Sequence, residues 1–189
     1  DKAVANIAKN FDRQIARGLV TEEQKKVALA NINIQSNMSE GVKNAGLVIE
    51  AATENVELKL QIFEQLDKLA PKEAILATNT SSISITKIAA ATGRAGKVIG
   101  MHFMNPVPLM KLVEVIRGLG TSDETTKTIV DLCKVMGKEP MEANDSPGFI
   151  SNRILCPMIN EAVFALQENV GTPEAIDQVM KLGMNHPMG

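Results

Sequence analysis

Apolar and polar residues follow two alternating patterns over the first three quarters of the chain. Runs with an apolar residue at every third or fourth position predict helices, and short apolar runs predict buried strands. The predicted helices cover residues 3–17, 21–30, 55–69, 84–91 and 121–136. The predicted strands cover residues 31–35, 47–52, 74–78, 98–101, 112–116 and 139–143. Strands that alternate with helices are typical of an α/β fold with a mostly parallel sheet.

Three consecutive predicted strands are separated by helices, namely residues 47–52, 74–78 and 98–101. Such strand–helix–strand units predict parallel neighbours joined by right-handed crossovers. Strand 112–116 follows His102 after only nine residues, whereas a parallel crossover needs about a dozen or more. We therefore expect strands 98–101 and 112–116 to be antiparallel neighbours, which lets Glu114 reach His102.

Polar side chains follow directly after the predicted parallel strands. Ser81 lies in the sequence Asn-Thr-Ser-Ser after strand 74–78, His102 follows the next strand, and Glu54 lies just beyond strand 47–52. The carboxyl ends of parallel strands meet at one edge of the sheet, where α/β proteins bind their ligands. These three side chains are therefore expected to face one crevice. Lys59, one turn into the following helix, either reaches this crevice or lies on the solvated surface.

The alternation of strands and helices ends near residue 144. Residues 149–169 and 172–182 have helical patterns, and the second has Thr172 as N-cap with Pro173 at the first helical position. The first of these helices is apolar around most of its circumference. We therefore predict a domain boundary near residue 144. The long helix must pack on the first domain, on further chain outside this sequence, or on another subunit.

Composition narrows the class of protein. The 189 residues have 22 acidic and 20 basic side chains, for a net charge of −2, with no basic run that would follow nucleic-acid phosphates. No apolar run approaches the length of about 20 residues that spans a membrane, so we predict a cytoplasmic protein without a membrane or nucleic-acid partner. Cys133 and Cys156 are predicted to be buried thiols, and the two cysteines and two histidines do not make a structural zinc site. The absence of tyrosine excludes a dehydrogenase that uses a Tyr-Lys pair.

One glycine-rich turn, Gly-Leu-Gly-Thr-Ser-Asp at residues 118–123, superficially resembles a dinucleotide-binding loop. Asp123 stands where the third glycine belongs, and its charge would oppose a pyrophosphate. Thr121 and Glu124 are instead predicted to form a capping box for the following helix. The bases of the first two helices stay open between a solvated surface and one side of a groove for a phosphorylated ligand.

Four motifs resemble the 3-hydroxyacyl-CoA dehydrogenase family, and most of all its bacterial 3-hydroxybutyryl-CoA dehydrogenases. They are ILATNTSSISIT, VIGMHFMNPVPLMKLVEVIRG, DSPGFISNRIL and MKLGMNHPMG, in this order. The resemblance implies a Rossmann-like dinucleotide-binding domain at residues 1–143 and the start of a helical substrate and dimerisation domain at 144–189. It also implies that the family's first strand, its glycine loop and its last helices lie outside this chain, so that the activity is expected of the intact parent protein.

The resemblance implies roles for seven side chains. His102 and Glu114 match the family's catalytic acid-base pair, and Ser81 and Asn152 match residues that hydrogen-bond the substrate's oxygen atoms. Glu54, Lys59 and Asn105 match contacts of the nicotinamide half of the cofactor. An imidazole ordinarily titrates near pH 6.5, which suits a group that takes a proton in one direction and returns it in the other.

The expected activity is the interconversion of an L-3-hydroxyacyl-CoA, with 3-hydroxybutyryl-CoA foremost, and the 3-ketoacyl-CoA, with NAD or NADP as hydride carrier. The resemblance further implies a homodimer joined through the helical domain. Two alternatives stay open from the sequence: a related dehydrogenase of a free hydroxy acid, and a non-catalytic interaction fragment.

Overall fold

The computed structural model describes residues 2–189, which form five strands and eight α-helices. The helices are α1 (Lys2–Ala16), α2 (Glu22–Ala30), α3 (Met38–Val42), α4 (Val56–Leu69), α5 (Ile85–Ala89), α6 (Asp123–Val135), α7 (Ser151–Gln167) and α8 (Pro173–Gly183). The strands are β1 (Leu47–Glu50), β2 (Ile75–Thr78), β3 (Val98–Phe103), β4 (Leu112–Arg117) and β5 (Glu139–Asn144). The predicted fold class, a mostly parallel α/β sheet followed by helices, is confirmed.

The five strands form one sheet in the order β1-β2-β3-β4-β5. Strands β1, β2 and β3 are parallel, β3 and β4 are antiparallel, and β4 and β5 are parallel again. The antiparallel pairing is the predicted one, and its register sets His102 directly opposite Glu114. Two residues opposite each other in a sheet have their side chains on the same face, so this register brings the imidazole and the carboxylate together.

The sheet is covered on both faces by helices, with an apolar core on each side. On one face α4 and α5 contribute Phe63, Leu66, Ile85 and Ile88, which pack with Leu76 and Val98 of the sheet. On the other face α6 contributes Ile129 and Cys133, which pack with Ile99, Met101 and Val113. Strands β2 and β3 are buried on both faces, as expected for central strands of a parallel sheet.

The capping signals in the sequence are confirmed at α2 and wrong at α6. Thr21 and Gln24 form the predicted capping box of α2. The cap of α6, however, is Ser122, which accepts a hydrogen bond from the Thr125 N–H, so the predicted Thr121 capping box is wrong. Thr121 is buried and its hydroxyl donates to the Val98 carbonyl at 2.7 Å, which fixes the preceding turn to the sheet instead.

Three further predictions about single segments are wrong. Residues 31–35 form no strand, because no strand between residues 2 and 189 lies beside them to supply ladder hydrogen bonds. Cys156 is exposed, since the described residues do not cover its face of α7, whereas Cys133 is buried as predicted and burial raises its pKa. Helix α7 begins at Ser151, not at Phe149, whose φ of 51° is left-handed.

No helix between residues 2 and 189 combines the length and the apolar character that crossing a membrane requires.

The segment between the sheet and α7 is fixed to the first domain by Asp145. Its carboxylate accepts hydrogen bonds from the Ser84 hydroxyl at 2.7 Å and from the N–H groups of Ile85 and Thr86, at the start of α5. Burial alone would raise the pKa of Asp145, but these donors lower it overall. The contact ties the beginning of the helical part to the loop that carries Ser81.

Candidate active site

Four of the predicted site residues meet at the carboxyl edge of the sheet. The Ser81 hydroxyl lies 3.1 Å from Nε2 of His102, and Nδ1 of His102 lies 2.8 Å from Oε2 of Glu114. Asn152, in the first turn of α7, donates from Nδ2 to the Ser81 carbonyl at 3.2 Å. The residues come from the loop after β2, from β3, from β4 and from the helical part, so the cluster spans both predicted domains.

His102 lies inside β3, which runs on to Phe103, and not after the strand as the sequence predicted. The side chain is buried, and the ring of Phe149 contacts the imidazole edge-on at a centroid distance of 5.9 Å. The left-handed conformation of Phe149 turns the chain so that this ring covers the imidazole while α7 begins two residues later. An apolar wall of this kind limits the access of water to the ring.

Glu114 is only 2% exposed, and every group that hydrogen-bonds to its carboxylate is a donor. Besides His102, the N–H groups of Ile150 and Ser151 and the Ser151 hydroxyl point at its carboxylate. Burial opposes ionisation, but the bonds from His102, Ser151 and Ile150 outweigh it and lower the pKa of Glu114. The group is therefore a carboxylate at neutral pH, with the N-terminus of α7 beside it.

The charge of Glu114 settles the tautomer of His102. An ionised carboxylate can only accept hydrogen bonds, so Nδ1 must bear the hydrogen that points to Oε2. In the neutral imidazole Nε2 is then an acceptor, and it faces the Ser81 hydroxyl. This nitrogen can take a proton from a hydroxyl group bound beside Ser81, and Glu114 stabilises the imidazolium that results.

Glu54 supports the loop that carries Ser81. Its half-exposed carboxylate accepts hydrogen bonds from the Thr80 hydroxyl, at 2.8 and 2.9 Å, and from the Ser81 N–H. Asn79, in the same loop, accepts from the Phe103 N–H at 2.9 Å and joins the ends of β2 and β3. The three predicted crevice residues Glu54, Ser81 and His102 do therefore form one connected edge.

Of the two positions that its sequence context left open, Lys59 does not take the solvated surface; it reaches Glu54 of the crevice from a buried position. It is 1% exposed, and its Nζ contacts both oxygens of Glu50 at 2.8 and 2.9 Å and the Ala52 carbonyl at 3.2 Å. Glu50 is buried too and also accepts from the Thr78 hydroxyl at 2.7 Å. Lys59 Nζ lies 3.8 Å from Glu54, so this buried pair lies directly beneath the crevice.

The sequence contained a sign of this network. Glu50 is the one acid in the otherwise apolar strand 47–52, and a lysine follows one turn into the next helix. A buried acid needs a partner, and a lysine at that position is close enough to supply it. Asn105, by contrast, is exposed in the loop after β3, and within residues 2–189 its side chain contacts none of the other predicted site residues by a hydrogen bond.

Sequence profiles of two domains match the chain. Residues 1–146 match the 3-hydroxyacyl-CoA dehydrogenase NAD binding domain, and residues 148–189 match the C-terminal domain of the same family. The chain is 52% identical over 189 residues to the Bacillus subtilis protein named "Probable 3-hydroxybutyryl-CoA dehydrogenase" and covers 66% of it. It is 48% identical over 189 residues to 3-hydroxybutyryl-CoA dehydrogenase of Clostridioides difficile and covers 67% of that protein.

A solved structure of the same family is also similar to this chain. The crystal structure of (S)-3-hydroxybutyryl-CoA dehydrogenase from Ralstonia eutropha matches all of this chain with a TM-score of 0.96 and 53% identity, and 66% of that protein is covered. The chain thus spans about two thirds of the length of the relatives that it matches. The matches to both domain profiles of one family, together with this level of identity, show that the chain belongs to the 3-hydroxyacyl-CoA dehydrogenase family.

Proposed function

We propose that the intact protein is an NAD-dependent dehydrogenase that interconverts L-3-hydroxybutyryl-CoA and acetoacetyl-CoA. The observation that supports this most directly is the hydrogen-bonded series Ser81–His102–Glu114, closed by Asn152 from the helical part. The relatives named above are 3-hydroxybutyryl-CoA dehydrogenases, and the N-terminal profile is that of an NAD-binding domain.

In the oxidation direction, Nε2 of His102 takes the proton of the substrate's 3-hydroxyl group. Glu114 holds the Nδ1 hydrogen throughout and stabilises the imidazolium that forms. Ser81 and Asn152 orient the substrate's oxygen atoms by hydrogen bonds. NAD, when bound, would supply the hydride acceptor for the hydrogen that leaves the same substrate carbon. In the reduction direction the imidazolium returns its proton to the ketone oxygen, and the same four side chains act in the reverse order.

The cofactor residues proposed are Glu54, Asn105 and Lys59. Glu54 and Asn105 are exposed at the sheet edge that His102 faces, and a carboxylate with an amide suits a nicotinamide carboxamide, which offers both a donor and an acceptor. Lys59 is buried against Glu50, so its proposed role includes stabilising the structure beneath Glu54. The residues present therefore fit a nicotinamide at this edge.

The substrate class is tested with the intact protein and NADH. We expect reduction of acetoacetyl-CoA and negligible reduction of free acetoacetate at the same concentration, because remote binding energy from the CoA group contributes to positioning the ketone. NADPH in a parallel assay separates the two nicotinamide cofactors. Reduction of the free keto acid in preference to the thioester would contradict the proposal and would favour a dehydrogenase of free hydroxy acids.

We also propose that the intact protein is a homodimer joined through its helical domain. Leu155, Ile159 and Val163 of α7 are spaced four residues apart on one face of the helix and are 41%, 53% and 55% exposed in residues 2–189. Clustered apolar exposure of this kind is typical of a contact surface between subunits. A cytoplasmic location stays a prediction from the sequence.

Light scattering on the intact protein at micromolar concentration is expected to give the mass of a dimer. Val163→Glu is expected to shift that mass towards the monomer, because the substitution places a charge in the apolar contact. Val135→Glu is the matched control, since Val135 is 85% exposed but lies on α6, outside the helical part. A monomeric parent protein would contradict the proposal.

A further inference from the structure

The Glu114 carboxylate has a complete set of four hydrogen bonds. Oε1 accepts from the N–H groups of Ile150 and Ser151 at 3.1 and 2.9 Å. Oε2 accepts from the Ser151 hydroxyl and faces Nδ1 of His102, both at 2.8 Å. Two acceptor positions on each oxygen are all that a carboxylate offers. The side chain therefore has one orientation in which every position is used.

Three of the four donors belong to Ile150 and Ser151 at the N-terminus of α7, and Ser151 alone supplies two of them. The antiparallel pairing of β3 and β4 sets the imidazole opposite the carboxylate, but it does not fix the rotation of the carboxylate plane. The Ser151 hydroxyl does so on the oxygen that contacts His102. A hydrogen bond from that hydroxyl also draws negative charge away from Oε2. Without it, the full negative charge of Oε2 would act on the imidazole.

We propose that Ser151 is a positioning residue for the dehydrogenase reaction: its hydroxyl orients Oε2 of Glu114 towards Nδ1 of His102 and weakens the hold of that oxygen on the imidazolium. This inference rests on the proposed function, in which His102 is the acid-base group. Ser151 itself does not contact the reacting atoms. It acts through Glu114, and it joins the helical part of the chain to the catalytic pair.

Few other charged groups lie near the imidazole. Glu54 is connected to the imidazole through Ser81, whose N–H donates to Glu54 and whose hydroxyl contacts Nε2 of His102. Lys59 Nζ lies 3.8 Å from Glu54. On α7 the first charged side chain is that of Arg153, which is exposed and forms no ion pair within residues 2–189. A substitution at Ser151 alters none of these groups. A change in the pH dependence of turnover would therefore report the lost hydroxyl.

The test compares Ser151→Thr with Ser151→Val in the intact protein. Threonine and valine have the same shape, and only threonine keeps the hydroxyl. We expect the Thr variant to keep kcat within about threefold of the parent. In the Val variant kcat is expected to fall about 3- to 30-fold at little change in KM, as for loss of one hydrogen bond to a charged group.

The pH profile separates positioning from a structural role. For the oxidation reaction, one limb of the pH–rate profile reports loss of a proton from the imidazolium. In the Val variant this limb is expected to move to higher pH by about 0.3 to 1 unit, because Oε2 then stabilises the imidazolium more strongly. The Thr variant is expected to keep the parent limb. An unmoved limb in the Val variant, or equal profiles for Thr and Val, would overturn the inference.

Two further variants make the outcome decisive. Ser122→Ala removes a half-buried serine outside the site, the N-cap of α6, and is expected to lower Tm without moving the limb of the pH–rate profile. If the Val variant does not fold, Ser151→Ala takes its place against Thr. Loss of activity in His102→Ala together with matching Thr and Val profiles would overturn this inference alone, whereas an active His102→Ala would overturn the proposed function itself.

Discussion

Replacement of His102 by alanine in the intact protein is expected to lower kcat about 10²- to 10⁴-fold with little change in KM. The reason is that Nε2 is the acceptor nitrogen of the imidazole and lies 3.1 Å from the Ser81 hydroxyl, where a substrate oxygen would bind. The half-exposed carboxylate nearby, that of Glu54, already accepts hydrogen bonds from the Thr80 hydroxyl and the Ser81 N–H. Steady-state rates with acetoacetyl-CoA and NADH measure the effect.

His186→Ala is the matched control, since His186 is the other histidine of this chain. Its ring contacts the Met188 carbonyl near the end of the described residues, in a turn that shares no contact with the catalytic pair. Parental kcat is expected. Turnover close to that of the parent protein in His102→Ala would remove this imidazole from the mechanism.

Glu114→Gln extends the comparison to the partner of His102. Its carboxylate is surrounded by donors on both oxygens, so the amide NH₂ of glutamine must face a donor on one side. The loss in kcat is expected to be no larger than that in His102→Ala. The limb that reports the imidazolium is expected to move to lower pH, because a neutral amide no longer stabilises the positive ring. An unmoved limb would argue that the two residues do not act as a pair.

The sequence predicted the His102–Glu114 pairing from a single spacing. Nine residues between a strand end and the next strand are too few for a crossover, which predicts antiparallel neighbours with Glu114 within reach of His102. The register that sets the two residues directly opposite each other is seen only in the structure. The roles of Ser81 and Asn152 came from the family resemblance instead. Their structural positions depend on how α7 docks against the loop after β2, and no local pattern of apolar and polar residues encodes that docking.

Other features of the site depended on contacts between distant residues. Ser151 looks like any first-turn serine in the sequence, and its position beside Glu114 arises only when the helical part packs on the sheet. Asp145 lies at the predicted domain boundary near residue 144, yet its carboxylate fixes this segment to the start of α5. Local patterns predicted elements well because helix and strand periods are local, whereas these hydrogen bonds join residues 37 and 61 positions apart.

Lys59→Met is expected to lower the free energy of unfolding by about 3 kcal/mol or more, since removal of one partner leaves a buried charge uncompensated. Lys59 is 1% exposed and donates to both oxygens of Glu50, which is 6% exposed. The Thr78 hydroxyl and the Ala52 N–H would still contact Glu50, so the loss belongs at the lower end of the range for buried pairs. Chemical denaturation of the intact protein measures it, with a fall in Tm of roughly 5–15 °C expected alongside.

The double variant Glu50→Gln with Lys59→Met shows whether the loss comes from the charge. In Glu50→Gln the amide oxygen can accept from the Ala52 N–H, and the amide NH₂ can donate to the Thr78 hydroxyl, which can accept as well as donate. No buried charge remains, so the double variant is expected to be more stable than Lys59→Met alone. Lys127→Met is the control for an exposed pair with Asp131, and no measurable loss is expected there. If Lys59→Met had the same free energy of unfolding as the parent protein, the buried Lys59–Glu50 pair would not stabilise the structure beneath the crevice. If only its KM for NAD rose, Lys59 would act on the cofactor and not on the fold.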